Sequence, residues 1–176
     1  MKGRKKDFLL LFAVVLALAV FLGGSQIQSV EEYYLAHLDD VAADSQTVTF
    51  AIDCASVFAH EKDLDPAVKP YLPEDGIIFA DAVLVLRPGD TVFDLLKRVC
   101  RAKAIQMEFQ GADKNAFGTV YVQGIQYLYE FSCGPYSGWT FTVNGEMPDR
   151  GCSDFHPEDG DAIRWVYSCE LNVPVD

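Results

Sequence analysis

Five cysteines (Cys54, Cys100, Cys133, Cys152, Cys169) and three histidines (His37, His60, His156) are the side chains of this 176-residue chain best suited to redox, nucleophilic or metal chemistry. Their spacing excludes most of it. There is no C-x-x-C pair and no histidine spacing to match one, so a structural zinc ion has no ligand set. A catalytic thiol would need a histidine partner, and none stands out. Ser153, Asp154 and His156 have the residue types of a hydrolytic triad. They are crowded into one turn, too close together to take the separate roles of nucleophile, base and orienting acid. No G-x-S-x-G elbow, dinucleotide fingerprint or Walker loop is present. Glu158, Asp159 and Asp161 gather three carboxylates without the spacing of a calcium loop, and read as a solvated turn. The expectation is a chain with no catalytic residues and no metal site, and not an enzyme.

The stretch CGPYSGW, residues 133–139, is different in kind. Two glycines, a proline and two large rings stand where a loop enters a strand. Cys152 follows 19 residues after Cys133. A Cys133–Cys152 disulfide would staple the intervening hairpin and contribute about 3 kcal/mol by restricting the unfolded chain. A stapled loop carrying Tyr136 and Trp139 would make a ligand platform, because large rings desolvate at low entropy cost while their edges still hydrogen-bond. The alternative is that both rings close the end of the core. Spacing alone leaves the two readings level, and it leaves the pairing of Cys54, Cys100 and Cys169 open.

These groups must be positioned by a small number of elements. Residues 47–54 alternate, with Val48, Phe50, Ile52 and Cys54 on one side of a strand. A charged, proline-containing loop follows over 59–76, then a second strand over 77–86 closed by Arg87-Pro88-Gly89-Asp90. Thr91 and Asp94 form a capping pair that opens the one strong helix. Val92, Leu95, Leu96, Val99 and Cys100 make its single apolar stripe, so Cys100 faces inward. Short strands are expected over 105–109 and 119–122, with 111–118 a polar loop, while 123–131 fits no regular pattern. Trp139, Phe141 and Val143 alternate along a strand that ends in Asn144-Gly145, the pair a type I′ turn requires. Residues 161–169 form the last strand, with Ile163, Trp165, Tyr167 and Cys169 on one side. One helix on a mixed sheet buries one stripe and several alternating faces, which is an α+β, β-grasp-like architecture.

The first 25 residues stand apart. Lys2, Arg4, Lys5 and Lys6 precede an unbroken apolar run over 8–22, and Gly23-Gly24-Ser25 follow. That layout is an export signal or a retained membrane anchor, the run being shorter than the roughly 20 residues of a full span. Residues 26–46 read as a spacer, partly helical over 29–43, and 172–176 as a tail. The formal charge is −12, and the part after residue 25 is more acidic still. This argues against nucleic acid and anionic lipid as partners, leaving contact with a membrane only through the N-terminal segment. Outside the cytoplasm, structural disulfides are the ordinary use of cysteine.

The segments GDTVFDLLKRVCRAKAIQMEF, YVQGIQYLYEFSCGPYSGWTFTVNG and HPEDGDAIRWVYSC together resemble the transcobalamin-like C-terminal domain family, the DUF4430 group, over residues 47–171. The resemblance implies a β-grasp-like domain, in a family whose bacterial members look like secreted or surface proteins of Gram-positive bacteria. In the animal vitamin B12 carriers the related domain forms one lid of a cobalamin site, opposite a helical-barrel domain. Carried over, the strand with Trp139 and Phe141 would correspond to the ligand-facing region, with Tyr121 and Tyr136 nearby. The expected ligand is then cobalamin or another corrinoid, with no resident cofactor. With no helical-barrel half in this chain, such a ligand would be held weakly, or jointly with a partner protein supplying the other side of the site. The alternative expectation is a cell-surface interaction or adhesion module with no small-molecule ligand.

Overall fold

The computed structural model describes residue 12 and residues 40–116 and 118–170. Apart from residue 12, the expected signal or anchor segment lies outside the described residues, as do the tail at 172–176 and most of the spacer helix. Its described end, residues 40–43, is not helical: the chain there is irregular and turns at 43–44.

Seven strands and one main helix build the rest. The first strand, β1 (Thr47–Asp53), buries Val48, Phe50 and Ile52 as its alternation dictates. A single helical turn, α1 (Ser56–Ala59), follows at once and was not legible in the sequence. The loop after it holds a 3₁₀ turn at Lys69–Tyr71 and leads into β2 (Ile77–Val85).

The helix α2 (Val92–Ala102) starts where the capping pair places it. Thr91 Oγ1 accepts from the Asp94 N–H at 3.2 Å, and the Asp94 carboxylate accepts from the Thr91 N–H at 3.2 Å, a reciprocal capping box. The N–H groups of Val92 and Phe93, which no helical carbonyl can reach, donate to Phe155 and Cys152. The turn around residues 151–156 is thereby fastened to the helix start. All five stripe residues, Cys100 included, are buried.

Two further strands, β6 (Gly138–Val143) and β7 (Ala162–Ser168), complete a four-stranded sheet of order β2-β1-β7-β6. It is mixed: β1 and β7 run parallel, and the outer pairs are antiparallel. Phe50 pairs with Ile163 and Ile52 with Trp165 across the parallel seam, while Trp139, Phe141 and Val143 face Tyr167, Trp165 and Ile163 across the antiparallel one. That register turns one continuous apolar face onto α2.

A second, three-stranded sheet was expected only in pieces. It consists of β3 (Met107–Gln110), β4 (Tyr121–Ile125) and β5 (Leu128–Tyr129) in sequence order. The stretch without a pattern, 123–131, is the β4–β5 corner. Gly124 is needed there, because a Cβ would meet the Tyr129 ring at 2.6 Å. Asn144 and Gly145 both take positive φ, as a type I′ turn demands. The α+β class with one main helix stands; the single sheet becomes two, joined through one core that Val122, Ile125 and Leu128 share with the large sheet.

Candidate functional site

The four side chains singled out as ligand contacts fall in different environments. Trp139 is a core residue. Its ring is edge-on to Tyr167 at 5.3 Å, and its indole N–H donates to the Leu128 carbonyl at 2.8 Å. The one polar atom of the ring is satisfied inside the protein, which is how a buried tryptophan is normally accommodated. Phe141 is also buried, between Trp165 at 5.5 Å and Phe155 at 6.2 Å. Tyr121 is half-buried on β4 and donates its hydroxyl to Glu130 at 2.6 Å; burial, then that carboxylate, pushes the phenol up to about 12. Of the four, only Tyr136 stands in solvent, 65% exposed. The alternation that placed Trp139 and Phe141 on one face was read correctly, and that face is the inner one.

The Cys133–Cys152 bridge is not present: both residues are free thiols with separate partners. Cys133 Sγ lies 3.6 Å from the His60 carbonyl, and Cys152 Sγ 3.4 Å from the Val120 carbonyl. Cys152 is held at the helix start by the bond from Phe93, on the far side of the hairpin that the bridge was expected to staple. The loop around Tyr136 is fastened by other means. Ser137 Oγ accepts from the Cys133 N–H at 3.0 Å, and the Phe131 N–H donates to the Ser137 carbonyl at 2.9 Å.

A concave surface lies elsewhere among the described residues. A groove of about 680 Å³ runs along β2, lined among others by Tyr71, Leu72, Ile78, Lys103, Ile105 and Gln126. Its volume is in the range of small-molecule sites. The Tyr71 and Tyr127 rings pack together at a tilt of 41° with centroids 4.7 Å apart, and about half of each residue reaches solvent. Tyr127 and Gln126 form the two-residue turn between β4 and β5, with φ of 62° and 53°. A type I′ turn takes these angles readily with Asn and Gly; a tyrosine there is strained. The strain is held by Gln106, whose carbonyl accepts from the Gln126 N–H and whose side-chain oxygen accepts from the Tyr127 N–H, each at 2.8 Å. Gln126 in turn donates to the Tyr71 carbonyl at 3.3 Å. Phe131 also has a positive φ, 66°, and is 63% exposed. Backbone strain spent on holding aromatic side chains outside the core is a mark of a functional surface.

Sequence reading missed this surface because its residues come from three segments separated along the chain. One signal was available: two residues, Gln126 and Tyr127, separate two short apolar runs where a hairpin turn would fit, and neither is the glycine or asparagine such a turn prefers.

Residues 89–168 match the model of a family described as Domain of unknown function (DUF4430), so the resemblance carried by the motifs is borne out over that stretch. No curated protein matches the chain. Among solved structures, the chain is similar to one described as the crystal structure of haptocorrin in complex with Cbi. The sequences are 12% identical, the TM-score is 0.47, and the match covers 74% of this chain. It spans 27% of that chain, well under half of its length.

Proposed function

We propose that the chain is a non-catalytic, extracellular binding module that takes a large, partly flat ligand on the groove beside β2. The observation that carries this reading is the Tyr71–Tyr127 pair, in which Tyr71 lines the groove and packs against Tyr127, a ring displayed by a strained turn beside it. Exposed rings cost a soluble protein solubility and, here, backbone strain; a ligand that stacks on them recovers both. The ligand class suggested by the family resemblance is cobalamin or another corrinoid. A groove on one face covers only one side of so large a molecule, so binding is weak, or is completed by a partner protein. The export or anchor layout of residues 1–25 supports a place outside the cell or at its surface, and the family resemblance suggests a Gram-positive host.

The absence of a catalytic role is part of the proposal. Asp154, His156 and Asp159 are all exposed, and the His156 ring nitrogen is engaged with the Asp90 carbonyl at 3.1 Å, away from Ser153.

The test is a titration of the purified chain with cobalamin and cobinamide, followed by equilibrium dialysis and by the visible bands of the corrinoid. Saturable uptake that Tyr71→Ala weakens by about tenfold, the loss of one stacking contact, is the expected result. No uptake and no band shift at millimolar corrinoid would end the corrinoid reading.

A second reading rests on a different feature of the same face. β2 is an edge strand of nine residues that pairs only with β1 among the described residues, and Ile77 and Val83 on it are exposed. A partner protein could add a strand to that edge. Loss of partner capture on Val83→Pro, with Tyr71→Ala unaffected, would favour it over the small-molecule reading.

A further inference from the structure

The open end of the β6–β7 hairpin gathers two of the five cysteines around one turn of chain. Gly138 pairs with Ser168, so the residues just beyond the ladder are Ser137 on one side and Cys169 on the other. Cys133 is folded back onto Ser137 by its N–H bond to Ser137 Oγ, which brings its side chain toward the same end. Its Sγ lies 3.6 Å from the carbonyl of His60. Cys169 Sγ lies 3.8 Å from Ser56 Oγ. Ser56 opens the single turn of α1 and His60 caps its end, the His60 ring nitrogen lying 3.2 Å from the Ser56 carbonyl. The two thiols therefore sit against one helical turn.

We infer that Cys133 and Cys169 are a disulfide pair, formed when the chain meets a disulfide oxidant, and that Cys54, Cys100 and Cys152 stay reduced in the core. The assignment accounts for the odd number of cysteines with one bridge and three buried thiols. Cys54 lies close enough to Cys169 to feel its charge, but it is fully buried and its Sγ is turned to the Gly76 carbonyl at 3.3 Å. Cys100 is on α2, and Cys152 is fixed at that helix's start.

Exposure sets the order of events. Burial, then hydrogen bonding with the Cys169 side chain, pushes the Cys133 thiol up to about 12, so it is a poor first nucleophile at neutral pH. Cys169 is only half-buried and takes the first step. Its thiolate attacks one sulfur of a small-molecule or enzymatic disulfide, RSSR, forming a mixed disulfide and expelling one RS⁻. The Cys133 thiolate then attacks Cys169 Sγ and expels the second RS⁻. Two protons pass from the protein thiols to the two leaving thiolates, and two electrons reduce RSSR to two RSH.

The sequence makes the test direct, because trypsin puts every cysteine on its own peptide: one ending at Lys62, then 99–101, 115–150, 151–164 and 165–176. The full chain is equilibrated with oxidised glutathione at pH 8, free thiols are blocked in acid, and the digest is mapped without reductant. A linked 115–150/165–176 pair, with the other three cysteines blocked, is the expected map. A link from 165–176 to the peptide ending at Lys62, a link from 115–150 to 151–164, or five blocked thiols would each overturn the assignment. A second measurement does not depend on the map. Reduction should lower the melting temperature of the oxidised wild type by on the order of 10 °C and leave Cys169→Ser unmoved. A wild type that melts at the same temperature with and without reductant would count against the bridge.

Discussion

The indole N–H of Trp139 on β6 donates to the main-chain carbonyl of Leu128 on β5 at 2.8 Å, so this one side chain links the large sheet to the small one. Trp139→Phe keeps most of the ring volume and leaves the Leu128 carbonyl buried without its donor. The expected cost is about 1–3 kcal/mol, the penalty for an orphaned buried polar group. Urea unfolding measures it. If the tryptophan instead served a ligand, the same change would weaken binding and leave stability nearly untouched.

The strained β4–β5 turn should show the opposite balance. Replacing Gln126 and Tyr127 together by Asn and Gly gives a turn that takes positive φ at both positions without strain. Relief of about 1–2 kcal/mol at each residue outweighs the roughly 0.5–1.5 kcal/mol of the half-exposed Tyr71–Tyr127 stack. A gain of about 1 kcal/mol in chemical denaturation is expected, together with weaker ligand capture. A destabilised double variant would mean that the turn is not strained and that the aromatic pair is structural.

How far the sequence foretold these sites follows from which signals are local. The alternation in residues 47–54, the Thr91/Asp94 capping pair and the Asn144-Gly145 turn each contain their own cause within a few residues, and each appears as expected. The second sheet does not. β5 is two residues long, β4 carries a glycine to make room for the Tyr129 ring, and neither offers a period to count. The inward face of Trp139 could not be chosen from alternation, which fixes that two faces differ and not which one the helix covers. The groove needs residues 71–82, 103–105 and 126 in one place, a long-range fact with no local trace. The cysteine pairing has no local signal for the same reason: spacing does not fix connectivity, and it is register that sets Cys133 and Cys169 at one end of the hairpin.

Helix α2 is tied to the turn that precedes it by an ion pair that is largely out of water. Arg98 pairs with Asp90, their side chains 11% and 13% exposed, and also donates to the Val85 carbonyl at 3.1 Å. Removing one member strands the other charge. Asp90→Ala is expected to cost about 3–5 kcal/mol, while a double change to apolar residues of similar size costs much less. A thermodynamic cycle of the two single variants and the double variant tests this. Additive losses would show that the two charges do not depend on each other.

His60 supplies a pH signature at the cysteine end of the sheet. The Ser56 carbonyl, and then the Glu170 carboxylate 3.1 Å from the other ring nitrogen, favour the protonated ring and raise its pKa above the ordinary 6.5. The folded state then binds a proton more tightly than the unfolded one. The stabilisation is complete below the unfolded value of 6.5 and is lost as pH rises through the higher folded value. Both side chains reach solvent, so the effect is small and falls with added salt. Denaturation midpoints of the reduced wild type should therefore drop between pH 6 and pH 8 by more than those of His60→Gln, and an NMR titration of the His60 ring should give a midpoint above 6.5. Parallel pH profiles for the two proteins would show that the imidazole at position 60 does not hold its proton through Ser56 and Glu170.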